Sequence, residues 1–240
     1  MKFQTRITKV ENGQEIIYGQ NLEKLMEENT FAQNIFFLLT SKLPNEKASK
    51  MFEAILSSII DHGPATASAM TARISASAKN SLHASVAAGL LGLGERHGVV
   101  ISQAMDFFYE HVEEKDLSSL LTKMKEEKKY VLGFGHKFFI DTDPRTLKLF
   151  SLAKENEIFG VHCELALTIE KNLNEISSKK LPLNADGAIA AILCDMKLES
   201  SIGNGVFVIA RVPGLVAQIL EEVNNDVGIR RLDDGEIEYL

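Results

Sequence analysis

After a short alternating start, apolar residues recur along this chain mostly at the spacing of helices. Residues 3–10 and 15–18 are extended in character and flank Asn12-Gly13, a pair that tolerates the positive φ of a tight hairpin. The stretch IFFLLTSKLPNEKA reads as helix, turn and helix. From Glu46 to Ile60, Ala48, Met51, Phe52, Ile55, Leu56 and Ile59 fall on one helical face. Asp116 stands as an N-cap before an inward row of Leu117, Leu120, Leu121 and Met124. Pro144 suits the first turn of a helix through Leu147 and Phe150. Val161, Leu165, Ile169, Leu173 and Ile176 make another stripe, and two further helices are predicted over Ala188–Lys197 and Asn204–Val223. The pattern predicts an all-α chain with a short N-terminal β-hairpin and no internal repeat.

Two segments depart from this regularity. Thr66–Gly94 is crowded with alanine, serine and glycine, which lets helices approach closely in a core or across a subunit interface. In YVLGFGHKFFIDTDPR a glycine-flanked histidine sits on a predicted loop, and an arginine follows nine positions later.

Composition narrows the function classes. A chain of 240 residues is long enough to bury a sizeable core. Its 26 lysines and arginines against 33 acids give a net charge of −7, which argues against a nucleic-acid partner. An anionic ligand must then be held by a few aimed cations rather than by a global field. Two cysteines, Cys163 and Cys194, make no disulfide framework and fit a reducing compartment. The first twenty residues lack an apolar leader. Val86–Leu93 is too short to span a bilayer, and Val206–Leu220 is broken by Arg211 and Pro213. The expectation is a soluble, cytoplasmic protein with no membrane partner.

Candidate chemistry clusters at turns. Four of the six histidines, His62, His97, His136 and His162, lie in or beside turn signals. None has the spacing of a metal-binding pair, so no metal is expected. Gly133-Phe134-Gly135 is not a dinucleotide fingerprint. Asp186 alone reads as a helix cap more readily than as a catalyst. Arg211, inside an apolar run, calls for a buried anionic partner, whereas Lys123–Lys129 reads as a solvated helix face.

In order along the chain these residues form a recognisable set. Asp61-His62-Gly63-Pro64, Arg96-His97-Gly98, Gly133-Phe134-Gly135-His136, Asp143-Pro144-Arg145, Asn184-Ala185-Asp186-Gly187, Ala210-Arg211-Val212-Pro213-Gly214 and Arg230-Arg231 together resemble the citrate synthase superfamily. The chain lacks the extra helices of authentic synthases. Asp-His-Gly-Pro and Leu-Asn-Ala-Asp-Gly are most similar to citryl-CoA lyase, the C-terminal module of ATP-citrate lyase and its stand-alone relatives.

The resemblance implies a large helical domain from residues 1–98 and 185–240 and a small CoA-handling domain from residues 99–184. It implies a reversible Claisen step between citryl-CoA and acetyl-CoA plus oxaloacetate. Asp186 handles the methyl proton, His97 holds the thioester enolate oxygen, and His136 polarises the ketone and accepts the hydroxyl proton in cleavage. His62, Arg145, Arg211 and Arg231 bind substrate carboxylates, Arg231 or the adjacent Arg230 reaching into a partner subunit of a homodimer or larger assembly. Gly133, Phe134, Gly135 and Lys137 face CoA, which enters as a thioester substrate; no permanent cofactor is implied. A separate citryl-CoA synthetase is a further implied partner. A compact citrate or methylcitrate synthase, and a catalytically idle carboxylate-binding paralogue, are the alternatives. Val99, Ile140, Asp141 and Gln218 depart from the family pattern, the middle two where synthases tend to place basic residues for CoA, with Lys128 or Lys129 as substitutes beside Lys137.

Overall fold

The computed structural model describes residues 2–240. Strands β1 (Thr8–Glu11), β2 (Gln14–Ile17) and β3 (Gln20–Asn21) form an antiparallel sheet in the order β1-β2-β3. Asn12 and Gly13 turn the first hairpin at φ 51 and 77. The extended residues 3–7 stay outside the sheet, and β3 is an addition to the expected hairpin. A second turn at Tyr18 and Gly19, φ 45 and 83, creates it. Tyrosine rarely takes that conformation, so the turn had no strong sequence signal.

Eleven α-helices follow: α1 (Leu22–Glu28), α2 (Phe31–Thr40), α3 (Glu46–Ser58), α4 (Ala67–Ser77), α5 (Leu82–Leu91), α6 (Ile101–His111), α7 (Leu117–Glu126), α8 (Pro144–Glu155), α9 (Val161–Ile176), α10 (Ala185–Asp195) and α11 (Gly203–Asn225). The expected all-α frame is therefore present, with α9 matching its stripe end to end. Asp116 caps α7, and Pro144 opens α8 behind the N-cap Asp143. The helix expected from Ala188 begins three residues earlier, because the Asn184 side chain accepts a hydrogen bond from Gly187 N. Asn184, not Asp186, is the cap.

That detail sets the site. Helix α10 is apolar on every face and buried from Gly187 to Cys194, so it runs through the centre of the molecule against α6, α8 and α9. Its first turn ends at a cleft and carries Asp186. The surrounding core is built from Met51, Phe52 and Ile55 of α3, Ile101, Met105 and Phe108 of α6, and Ile169 of α9. The small-residue segment forms the α4–α5 hairpin. A Cβ on Gly89 would lie 3.0 Å from the Ala72 Cβ, and one on Gly92 would lie 3.1 Å from the Ser68 Cα. Leu215 and Ile219 of α11 close this second core against Ala72 and Ala76. On the outside of α4, α5 and α11, Met70, Ile74, Leu82, Leu91, Leu220 and Val223 are exposed.

Candidate active site

A cleft of about 540 Å³ gathers His62, His97, His136, Arg145, Asp186 and Arg211, drawn from five separate chain segments. Gly133, Phe134, Gly135 and Lys137 line the same cleft, as do Arg96, Tyr130 and Phe138. Of the expected site residues only Arg231 is elsewhere; it lies on the exposed C-terminal tail.

Three backbone turns aim the histidines, each beside a glycine in the left-handed region: Gly63 at φ 80, Gly98 at 86 and Gly135 at 84. His97 and Gly94 exchange backbone hydrogen bonds of 2.8 and 2.9 Å, closing a tight loop. Its ring Nε2 lies 2.9 Å from the hydroxyl of Ser68, a fully buried side chain on α4. With that hydroxyl donating to Nε2, the proton of neutral His97 sits on Nδ1.

His136 is fixed from the other side. Its Nδ1 accepts hydrogen bonds of 3.0 Å from both Phe138 N and Phe139 N, so in the neutral ring the proton sits on Nε2. The ring stacks on Phe139 with centroids 4.6 Å apart and meets His62 edge-on at 5.4 Å. Burial lowers the pKa of His62, His97 and His136; nearby Arg145 adds to this for His62 and His136, and Arg211 for His97. All three rings are therefore held toward the neutral form.

The loop bearing His136 is stitched to the residues before α10. Gly135 N donates to Pro182 O at 2.7 Å, Asn184 N to Gly133 O at 3.0 Å, and the Asn184 amide to Gly135 O at 2.9 Å. His136 and Asp186 are thus placed by one continuous backbone seam. Burial pushes the Asp186 carboxyl up to about 6, against the pull of Arg145 and Arg211. A carboxyl poised there can exchange a proton in either direction.

The cations are prepared differently. Arg145 donates from Nε and Nη2 to the two oxygens of the fully buried Asp143, at 3.0 and 2.7 Å. Asp143 also accepts from Ala185 N, tying α8 to α10. Burial opposes its charge, but Arg145 outweighs that and holds its pKa below the usual carboxylate range. Arg211 is 2% exposed, donates from Nε to Ile59 O at 3.0 Å, and lies over the Phe207 ring. Its Nη1 is buried with no partner. Among the described residues no carboxylate pairs directly with it, Asp61 and Asp186 acting on it only through space, and Nη1 is left to meet a ligand carboxylate.

The departures resolve unevenly. Asp141 pairs with Lys180 on the surface, and Ile140 is exposed. Neither Lys128 nor Lys129 lines the cleft, whereas Lys137 does. Gln218 bridges Asp61 and Arg73. Arg230 pairs with Glu222. Ser68 and Asp143 carry no individual signal for these roles in the sequence, because the first depends on a partner 29 positions away and the second on side-chain geometry. Among the described residues no cluster of His, Cys, Asp and Glu could hold a metal ion, and no helix is long and apolar enough to cross a membrane.

A helical frame carrying three histidines, a half-buried carboxyl and two arginines around one cleft defines an enzyme of the citrate synthase and citryl-CoA lyase superfamily. The citrate synthase C-terminal domain model matches residues 16–232, and the chain belongs to that family. Citryl-CoA lyase from Hydrogenobacter thermophilus is 40% identical with a TM-score of 0.92, over 99% of this chain and 94% of that one. ATP citrate lyase from Methanosaeta concilii, solved with (3S)-citryl-CoA, is 25% identical with a TM-score of 0.90, over 100% of this chain and 42% of that one. ATP-citrate synthase of Mus musculus is 29% identical over 252 residues, 96% of this chain and 23% of the relative. The chain thus spans under half the length of the ATP-citrate synthases it matches.

Proposed function

We propose that this chain cleaves citryl-CoA to acetyl-CoA and oxaloacetate, with CoA entering as the thioester substrate. The observation that carries the reading is the Asp186 carboxyl, raised to about 6 and facing the same cleft as His97, His136 and the unpartnered Arg211. As the C–C bond breaks, the tertiary hydroxyl gives its proton to the His62–His136 imidazole pair. His136 Nε2–H donates to the hydroxyl oxygen, so with Nδ1 occupied by two amides His62 is the freer acceptor. This shifts the acceptor role away from His136 alone. His97 Nδ1–H holds the thioester enolate oxygen, and Asp186 in its acid form delivers a proton to the enolate carbon. Arg145, Arg211 and His62 hold the carboxylates; Gly133, Phe134, Gly135 and Lys137 face the CoA arm.

The similarity to the Hydrogenobacter lyase across both whole chains supports cleavage over synthesis. A homodimer is part of the reading: the exposed apolar face of α4, α5 and α11 supplies a surface, and exposed Arg231 supplies a cation for the partner's cleft. The division into residues 1–98 with 185–240 and residues 99–184 is retained with one change. The packing of α10 on α6, α8 and α9 favours moving the second boundary past α10, so that Asp186 travels with the CoA-handling part. The citryl-CoA would come from a separate ATP-dependent synthetase.

The test mixes purified protein with citryl-CoA, follows oxaloacetate through malate dehydrogenase and NADH, and reads free thiol in parallel. Oxaloacetate without thiol is the expected result. Thiol without oxaloacetate would mean hydrolysis and a synthase. Neither signal, with citrate still bound by calorimetry, would mean an idle carboxylate-binding paralogue.

A further inference from the structure

Behind the cleft lies a chain of charged and polar side chains that none of the catalytic roles uses. Glu222 of α11 is 2% exposed, yet it carries a carboxylate. Arg230 at the root of the C-terminal tail donates to it from Nε at 2.6 Å and Nη2 at 3.0 Å. Arg73 of α4 donates to it from Nε at 2.8 Å. The same Arg73 turns its Nη1 outward, to Gln218 Oε1 at 2.7 Å and Glu221 Oε2 at 2.6 Å. Gln218 then donates from its amide nitrogen to Asp61 Oδ2 at 3.2 Å. Asp61 Oδ2 also accepts from Gly63 N at 3.0 Å, which closes the turn that holds His62.

We propose that Gln218 is a positioning residue for the carboxylate-binding turn Asp61–Gly63, and that through Arg73 and Glu222 it fastens this turn to the root of the tail at Arg230. The assignment rests on the proposed binding role of His62. Its physical basis is the bipolar amide: Gln218 must offer a donor to Asp61 and an acceptor to Arg73 at once. A glutamate would repel Asp61. Methionine keeps the length and loses both bonds. An imidazole carries one donor and one acceptor and can span the same gap. Arg73 is equally constrained, because it reaches Glu222 with Nε and Gln218 with Nη1; the ammonium of lysine is a single point and cannot replace both contacts in that geometry. The tail that carries Arg231 and the turn that carries His62 are therefore set by one connected network.

The test compares Gln218→Met, Gln218→His and Arg73→Lys in the full-length protein. The first readout is the titration of the His62 ring by NMR without ligand, assigned by the signal lost in His62→Gln. In the wild type His62 faces Arg145, His136 and Arg211, which disfavour its charge, and Asp143, which favours it. Once the turn loosens the ring moves toward water, so its midpoint should rise toward the free value in Gln218→Met and Arg73→Lys, and stay at the wild-type value in Gln218→His. The second readout is a kcat/KM for citryl-CoA lowered about tenfold, again restored by Gln218→His. An unmoved His62 midpoint in a folded Gln218→Met protein would overturn the proposal. If the wild type does not cleave citryl-CoA, the cleavage reading fails, and the His62 titration still decides the positioning role.

Discussion

Gly133 and Gly187 meet backbone to backbone: a Cβ on Gly187 would lie 2.4 Å from the Gly133 carbonyl oxygen, and one on Gly133 would lie 2.6 Å from the Gly187 Cα. Neither obstacle is a side chain that can swing away. This contact seats the loop bearing His136 against the first turn of α10. Gly187→Ala should therefore push the two apart and lower kcat at least about a hundredfold, with a stability loss of about 1–3 kcal/mol. Turnover measured beside a melting curve checks it; a stable variant with full activity would show that the seam is not what places His136.

Asp186→Asn separates chemistry from stability. Removing the proton donor should lower kcat by about 10²–10⁴-fold while leaving oxaloacetate affinity nearly unchanged. The folded carboxyl titrates at about 6 against an ordinary 3.8. Because the folded value is raised, the contribution favouring the fold is complete below 3.8 and is lost as pH rises through 6. At pH 8 the wild type should be destabilised by up to about 3 kcal/mol from this group, and Asp186→Asn should melt higher. At pH 4 the difference should vanish. Loss of oxaloacetate affinity as large as in Arg211→Ala would remove Asp186 from the proton-transfer role.

The pH profile of cleavage should be a bell. Asp186 must be an acid, and that form is depleted as pH rises through about 6. The imidazole pair must be neutral, and its values lie below 6.5, so activity also falls on the acid side. The reverse condensation needs the opposite forms, the Asp186 carboxylate and the charged imidazole pair, so Asp186 should set its acid fall and the histidines its alkaline fall. Initial rates in both directions between pH 4.5 and 9 test this, with Asp186→Asn expected to erase the limb it controls.

Arg211→Ala should weaken oxaloacetate or citrate binding by about 2–4 kcal/mol, because it removes a desolvated guanidinium whose Nη1 has no partner in the protein. The folded state should suffer less than from loss of a paired buried charge, since what is lost is the Nε bond to Ile59 O and the contact with the Phe207 ring, not an ion pair. Calorimetric titration against the wild type measures the first effect, and denaturant unfolding the second.

Mixing two inactive proteins tests the tail. Asp186→Asn and Arg231→Ala, each nearly inactive alone, should regain activity when mixed and allowed to exchange subunits, since one hybrid cleft then holds both native groups. No recovery despite demonstrated exchange would place the action of Arg231 within its own subunit.

Much of this was legible in the chain, and the gaps have physical causes. The stripe Val161–Ile176 gave helix α9 without error because its apolar period is unbroken and a glycine precedes it. Helix α10 was harder: it is buried on all sides, so no polar face marks where it begins, and its true cap, Asn184, lay outside the predicted helix. The motifs named nearly every group lining the cleft, since loops that hold such groups need glycine and proline at fixed places. What sequence order could not give was pairing across space. Ser68 looks like one more small residue in a small-residue helix, and only folding brings it to His97. Asp143 reads as a cap, which it is, but it also orients Arg145 and ties α8 to α10.

The three histidine turns share a construction whose cost falls on heredity rather than on chemistry. Gly63, Gly98 and Gly135 each hold a conformation that other residues adopt only under strain, and at Gly98 a methyl group would also enter the Phe207 ring. A missense change at any of these codons replaces no acid, base or cation, yet it misdirects an imidazole. The genetic target for inactivation is thus wider than the set of reacting groups. A copy of this gene released from selection for turnover would therefore be expected to lose these glycines as readily as the histidines they aim.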